Sequence, residues 1–399
     1  MNPSSGGPCQ GIRNIVPELE KLGLHNEVVC LDDPSEDFLG KDAFLIHAVG
    51  PASGPWAYSS KLIPWLLENF HRFDVIILHA LWLYHGYALN KALQQYRRLQ
   101  DGSGKQPVLP KVFIMPHGML DPYFQQAAGR KMKALRNWAY WKLIEGKIVN
   151  EADGVLFTCK EELLLARIPF KPYHPKKEIN IGYGVKAPPV FEEGMNRAFL
   201  EKCPGIGAEP FILFLGRIHE KKGIDHLIQA YSNILAREKN NDNTTTKRSI
   251  PNLVIAGPGI DTAFGKKMLQ LVLASSLLKE RIFFPGMLHG EAKWGAFYRS
   301  EVFILPSHQE NFGIAVVEAL ACGKPVLISR QVNIWREITE AGAGFAEEDS
   351  TQGTEKLLAS WQTMTLSEKA AISTRARSSF LKAFSITPAA KRFYEEMVI

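Results

Sequence analysis

No stretch of this 399-residue chain reaches the roughly 18 uninterrupted apolar residues needed to cross a bilayer, so no membrane span is expected. Cysteine is scarce and unpaired: Cys9, Cys30, Cys159, Cys203 and Cys322 are scattered, odd in number and form no C-x-x-C. A disulfide framework or a zinc site is therefore not expected, and the cytosol is the natural compartment. The opening MNPSSGGPCQGIRN lacks the apolar core of a secretory signal. An excess of one charge is also small: 47 Lys+Arg against 41 Asp+Glu leave +6. That balance suits nucleotide phosphates or acidic headgroups, but it gives no concentrated basic stripe, so no nucleic-acid partner is expected. With 46% hydrophobic and 22% charged residues the chain is globular, and its length favours two or three domains.

Strand-like apolar runs alternate with helical stretches, the pattern of parallel α/β layers. In the first half the runs are 74–79, 112–116 and 154–158, the last followed by a helix near Lys160. In the second half they are Phe211–Leu215, 253–256, 281–284, Val302–Leu305 and 325–329. Two consecutive Rossmann-like sheets fit this order better than one long sheet. The glycine- and proline-rich stretch 182–189 is the expected hinge, and the polar run 239–249 an expected mobile surface loop. The most basic segment, 129–147, holds six Lys/Arg and three large aromatics. On a helical wheel Met132, Leu135, Ala139 and Leu143 share a stripe bordered by Lys131, Arg136, Lys142 and Lys147. The favoured reading is a packed helix with a solvated basic rim; the alternative is contact with a membrane surface.

Two segments carry chemistry. In 305–326 a strand ends, a polar turn follows, and a helix opens near Gly313, with Glu310 before it and Glu318 in its second turn. Five helical residues advance about 7.5 Å, so two carboxylates address different parts of one elongated ligand over a helix N-terminus. That terminus offers unpaired N–H groups and partial positive charge for a phosphate, and carboxylates accept bidentately from vicinal hydroxyls. Upstream, Gly216-Arg217-Ile218-His219-Glu220-Lys221-Lys222-Gly223 follows a strand, so Arg217 and Lys222 converge where α/β ligands sit.

These segments resemble the retaining family-4 glycosyltransferases of bacterial type and GT-B architecture. G-R-x-x-x-x-K-G stands at Gly216 to Gly223 and E-x-F-G-x-x-x-x-E at Glu310 to Glu318, through Phe312, Gly313 and Ile314. Between them lie Ile255-Ala256-Gly257-Pro258-Gly259 and Phe284-Pro285-Gly286-Met287-Leu288. The resemblance implies an α/β fold of two Rossmann-like domains facing across a cleft. The N-terminal, acceptor-side domain is expected at 1–187, completed by a C-terminal helix at 385–399 capped by Thr387 before Pro388. The sugar-nucleotide domain is expected at 188–384. It further implies that Arg217 and Lys222 bind the donor diphosphate, that Glu310 holds donor sugar hydroxyls and Glu318 the ribose, and that Gly216, Gly257, Phe312, Gly313 and Ile314 are donor-binding too. The base lies against backbone at Met287 and Leu288. In the first half, Ser5-Gly6-Gly7 resembles the family's glycine loop, so Gly6 and Gly7 approach the donor, and His117 matches its active-site histidine. Asp121 is either acceptor-facing or a turn cap before Pro122. The expected catalytic set is His117, Arg217, Lys222 and Glu310.

Family members begin with a buried strand before the glycine loop, and here Met1 stands only five residues before Gly6. The N-terminal sheet is expected one strand short, or the natural reading frame to extend upstream. The implied reaction moves a hexose from a nucleoside-diphosphate sugar to a sugar or lipid-linked acceptor with retention. It is expected to need no cofactor and no metal, in the cytoplasm or peripherally at the inner face of the membrane. A sugar-nucleotide epimerase of the same fold and a non-catalytic nucleotide-sugar-binding partner are the alternatives. A nicotinamide dehydrogenase is disfavoured, because Pro188 and Pro189 follow the glycine pattern at 182–187 where a helix would have to open.

Overall fold

The computed structural model describes residues 1–3, 6–101, 109–127, 129–240 and 249–398. Ser5 of the expected glycine loop and positions 241–248 of the expected mobile loop lie outside the described residues. The chain divides into two units, Met1–Gly184 with Ile386–Ile399, and Val185–Ser385.

In the first unit β1 (Glu27–Cys30) and β2 (Leu45–Ala48) form a parallel pair. A separate parallel sheet runs in the order β3 (Val75–His79), β4 (Lys111–Met115), β5 (Gly154–Phe157), β6 (Glu178–Asn180). Among the described residues no strand precedes the first helix, Gly7–Lys21. That helix contributes Leu19 to a cluster with Met115, Leu156 and Ile179, which Phe393 and Met397 of the C-terminal helix Ile386–Val398 complete. Gly11 is required by close approach: a Cβ there would stand 2.3 Å from the Tyr183 hydroxyl, which donates to the Gly7 carbonyl at 2.6 Å. Thr387 is not the cap of the C-terminal helix. The helix opens at Ile386, so Thr387 and Pro388 fall in its first turn, where proline's missing N–H costs nothing.

The basic segment is packed with an exposed basic rim, as favoured, but through a different face from the expected stripe. The helix Lys131–Tyr140 runs into a π-helical turn, Trp141–Glu145, and then the helix Gly146–Glu151. Asn137, Trp141 and Glu145, four residues apart, face inward, while Met132 and Leu143 are each 80% exposed and Leu135 61%. The expected apolar stripe therefore points to solvent. Aromatic packing decides this: Trp141 stacks on Phe170 and Tyr140 on Trp56, and both anchor the opposite side.

The second unit holds one six-stranded parallel sheet in the order β12-β11-β10-β7-β8-β9. The strands are β7 (Phe211–Leu215), β8 (Asn252–Ala256), β9 (Ile282–Gly286), β10 (Val302–Leu305), β11 (Val326–Ser329) and β12 (Gly344–Glu347). The continuous apolar runs of β7, β10 and β11 mark strands covered on both faces, and β10 and β11 are buried throughout. Among the described residues no helix is long and apolar enough to cross a membrane.

Candidate active site

In the second unit the ends of β7, β8 and β9 meet through glycine. Gly216 N–H donates to Ala256 O and Gly257 N–H to Gly286 O. A Cβ at Gly257, whose φ is +144°, would stand 1.9 Å from Gly216 O. After β7 the chain passes the exposed Arg217 into a 3₁₀ turn, Glu220–Lys222, capped when His219 accepts the Lys221 N–H. Gly223, at φ +66°, then abuts Pro306 O, where a Cβ would lie 1.8 Å away. The turn is thereby pressed onto the segment that carries Glu310.

That contact joins two expected residues directly, because Lys222 Nζ donates to Glu310 Oε2. Glu310 is held by backbone: its N–H donates to Gln331 O at 2.8 Å and its carbonyl accepts from Asn333 N–H at 2.9 Å. Gly313, at φ +76°, opens the helix Ile314–Ala321 with no side-chain cap, leaving an unsatisfied N-terminus beside Glu310. One turn on, Glu318 accepts from Lys293 Nζ at 2.6 Å; Lys293 sits on the helix Gly290–Arg299 and went unnoticed in the sequence. Phe312 and Leu288 are buried, whereas Met287 is 54% exposed beside Gly286. Among the described residues no hydrogen bond or ion pair joins Arg217 to Lys222 or Glu310.

His308, two residues before Glu310, is a further residue sequence reading passed over. Its Nδ1 lies 2.7 Å from Asp349, its Nε2 3.8 Å from Asp225, and these carboxylates push the imidazole up to about 10.

In the first unit Gly6, at φ +89°, caps the helix Gly7–Lys21 with open space around it. His117 follows β4 in a left-handed turn at φ +51°, next to Gly118 at +80°. Two groups fix it. Its Nε2 lies 2.9 Å from Nδ1 of His79, which ends β3, and the rings stack at 5.2 Å. His85 Nε2 in turn donates to His79 O. Burial pushes His79 down to about 4 and His117 to about 3, so both are neutral and one ring N–H serves the pair. The second group is Glu162, buried at the start of the helix Lys160–Ala166. It accepts the Gly118 N–H through Oε1 and the Thr158 N–H and hydroxyl through Oε2. Asp121 resolves to the cap alternative: it is buried and its Oδ1 accepts the Tyr123 N–H at 2.8 Å. The left-handed Ala80 and Trp82, at φ +71° and +68°, mark the turn after β3 as strained next to this pair.

Comparison with known proteins agrees with the layout. Residues 198–377 match the family described as glycosyl transferases group 1, and residues 6–169 the glycosyl transferase 4-like domain. The chain is 32% identical over 121 residues to an uncharacterized glycosyltransferase of Methanocaldococcus jannaschii, covering 30% of this chain and 27% of that one. It is 32% identical over 123 residues to a D-inositol 3-phosphate glycosyltransferase of Gordonia bronchialis, covering 30% and 25%. The matched segment thus spans about a quarter of either relative. Among solved structures, a glycosyltransferase of Rickettsia africae superposes with a TM-score of 0.71 at 17% identity, over 100% of this chain and 96% of that one. The Anabaena protein HepE with UDP and glucose superposes at 0.66 and 15% identity, over 98% and 96%.

Proposed function

From a chain that belongs to the family-4 glycosyltransferases of the GT-B architecture, we propose transfer of a hexose from a nucleoside diphosphate to an acceptor hydroxyl, with retention. The observation that carries this reading is the pair of lysine–glutamate contacts, Lys222–Glu310 and Lys293–Glu318, on either side of an uncapped helix start. A diphosphate over that N-terminus draws Lys222 away from Glu310 and leaves the carboxylate free for sugar hydroxyls. Arg217 is the second cation for the diphosphate, Glu318 takes ribose, and backbone at Gly216, Gly257, Met287 and Leu288 borders the nucleotide. Cations and helix dipole together stabilise the departing diphosphate. In the step itself the anomeric carbon–diphosphate bond breaks, a bond to the acceptor oxygen forms on the same face, and the acceptor proton passes to a diphosphate oxygen. No metal is required by this path. His117, neutral and held by His79, belongs to the acceptor side, and the glycine loop at Gly6 and Gly7 approaches the donor.

The acceptor we favour is lipid-linked, at an anionic membrane surface. Met132, Leu135, Trp138 and Leu143 are all more than half exposed along one segment that also carries Lys131, Lys133, Lys142 and Lys147. Buried apolar area and cation–headgroup attraction add in such a face.

The test is a thermal-shift and calorimetric panel of UDP, GDP and ADP sugars, beginning with UDP-glucose, followed by product analysis by NMR. Donor turnover with an α-linked product from an α-donor is the expected result. An epimerised sugar nucleotide, or tight binding with no turnover, would replace the transferase reading by its epimerase or binding alternatives. Flotation with phosphatidylglycerol vesicles, lost in Leu135→Glu/Leu143→Glu and absent with phosphatidylcholine, tests the membrane face.

A further inference from the structure

Next to the turn that carries Lys222, the fold gathers residues far apart in sequence. Asp225 and His226 stand in the first turn of the helix Ile224–Asn240, His308 on the segment after β10, and Asp349 after β12. One ligand atom each from Asp225, His226 and His308 lies within 4.8 Å of the other two. Four-coordinate zinc, with bonds of about 2.0–2.1 Å, places its ligand atoms about 3.3 Å apart, so a small inward rotation of these side chains meets the requirement.

Two further observations point the same way. Asp225 Oδ1 and His226 Nδ1 are buried yet have no hydrogen-bond partner among the described residues. Each has only a long ionic neighbour, His226 Nδ1 at 3.6 Å from Asp349 Oδ1 and Asp225 Oδ1 at 3.8 Å from His308 Nε2, and a cation among them would supply the short contact that both atoms lack. Asp349 meanwhile accepts from Nδ1 of His308 at 2.7 and 2.9 Å. A carboxylate on one imidazole nitrogen fixes the ring and its tautomer and leaves Nε2 for a metal; here Nε2 faces Asp225 Oδ1 at 3.8 Å.

We propose that Asp225, His226 and His308 form a binding site for one divalent ion of the zinc class, with Asp349 as the residue that orients His308. Two imidazoles and one carboxylate suit zinc, cobalt or nickel better than magnesium or calcium, which prefer all-oxygen shells. The ion would tie two segments together, and Asp349 brings in a third through His308. His308 N–H already donates to Lys221 O, and His308 is two residues from Glu310, so the tie holds the Lys222 turn and the Glu310 segment in register. Its role is structural, and its existence does not depend on which donor binds.

Binding is tested on the full chain, stripped with chelator and titrated with Co²⁺. One Co²⁺ per chain with the visible absorption of a nitrogen- and oxygen-ligated ion is expected, and Zn²⁺ should displace it and raise the melting temperature. His226→Gln and Asp225→Asn should each abolish the band, and Asp349→Asn should weaken binding about 10–100-fold, the usual effect of removing an orienting carboxylate. Circular dichroism of each variant shows whether it is folded. Equal Co²⁺ binding by the wild type and His226→Gln, no binding by the wild type, or a thiolate charge-transfer band marking Cys9 or Cys322 would each overturn the site.

Discussion

In the second unit six strands join in one sheet, and its candidate groups are charged and paired; in the first the strands divide into a pair and a four, and its candidate groups are neutral. The half-buried β1, β2 and β3 of the first unit contrast with the fully buried β10 and β11 of the second. Positioning follows suit. Lys222 and Glu310 are held by each other on partly exposed segments beyond the ends of β7 and β10, so a charged ligand can exchange for either partner. His79 and His117 are held by buried hydrogen bonds and left-handed backbone, so they keep one arrangement and one protonation state. The lesson is that the two units position their candidate groups by different physics, and each has its own way to fail.

The largest effect should come from breaking the charged side. Lys222→Ala and Arg217→Ala are expected to weaken UDP or GDP binding by about 1.5–3 kcal/mol each, roughly 10–150-fold, with little change for the bare nucleoside. Glu310→Gln should cost turnover while retaining diphosphate affinity, because it releases Lys222 rather than removing it. Glu318→Gln, next to Lys293, should weaken the free nucleotide as well. Calorimetry separates these outcomes, and equal losses of nucleotide affinity for Glu310→Gln and Glu318→Gln would end the division of roles.

On the neutral side the matching break is Glu162→Ala. It strips three hydrogen bonds to a buried carboxylate and leaves the Gly118 N–H unpaired, for a cost of about 3 kcal/mol. For a unit of this size that lowers the melting temperature by about 6–12 °C. Turnover should fall with it, while UDP affinity, a property of the other unit, should not. A loss of nucleotide affinity in this variant would show that the units are not separable in this way.

What the sequence made legible follows the same division. The second unit's strands are runs such as Phe211–Leu215 and Val302–Leu305, apolar at every position, and its motifs sit where those runs stop. Strands β1, β2, β6 and β12 have three or four residues each and mix polar side chains into half-buried positions, so neither alternation nor a continuous run betrays them. Site residues divide in the same manner. Glu310, Glu318, Arg217 and Lys222 lie within local motifs. Lys293, His79, Glu162 and the Asp225–His226–His308 group act through neighbours set by sheet order and helix packing, which spacing does not encode. His79 pairs with His117 only because β3 lies beside β4 with His79 opposite Met115. The exposed stripe of the basic segment was misread because a wheel carries no tertiary packing, and here Trp141 on Phe170 and Tyr140 on Trp56 decide which face turns inward.

A smaller and more selective effect concerns acid. An unfolded chain protonates its histidines near 6.5, but in the fold His79 resists to about 4 and His117 to about 3. Between these limits the unfolded chain binds more protons, so this contribution is whole above 6.5 and is lost as pH falls towards 4. The double variant His79→Gln/His117→Gln should therefore melt with a shallower pH dependence than the wild type between about pH 6.5 and about pH 4. Parallel curves would mean that the pair is charged, or exposed, in the fold.

Glu145 gives the converse and the smallest effect. It ends the π-helical turn with no exposed surface, and neither carboxyl oxygen has a hydrogen-bond partner among the described residues. Burial pushes it from the ordinary 4.5 up to about 8. Here the fold keeps a proton that the unfolded chain gives up, so the contribution is whole below 4.5 and is lost as pH rises towards 8. Glutamine has the shape of the protonated acid and carries no charge at any pH. Glu145→Gln should therefore leave stability near wild type at about pH 5 and raise the melting temperature by a few degrees at about pH 8, where the wild type begins to bury a carboxylate. The difference between variant and wild type is what matters, since every other titration cancels in it. A difference that stays constant from acid to alkaline pH would show that Glu145 is paired or wet in the fold, and that the first unit's interior tolerates charge as the second unit's site does.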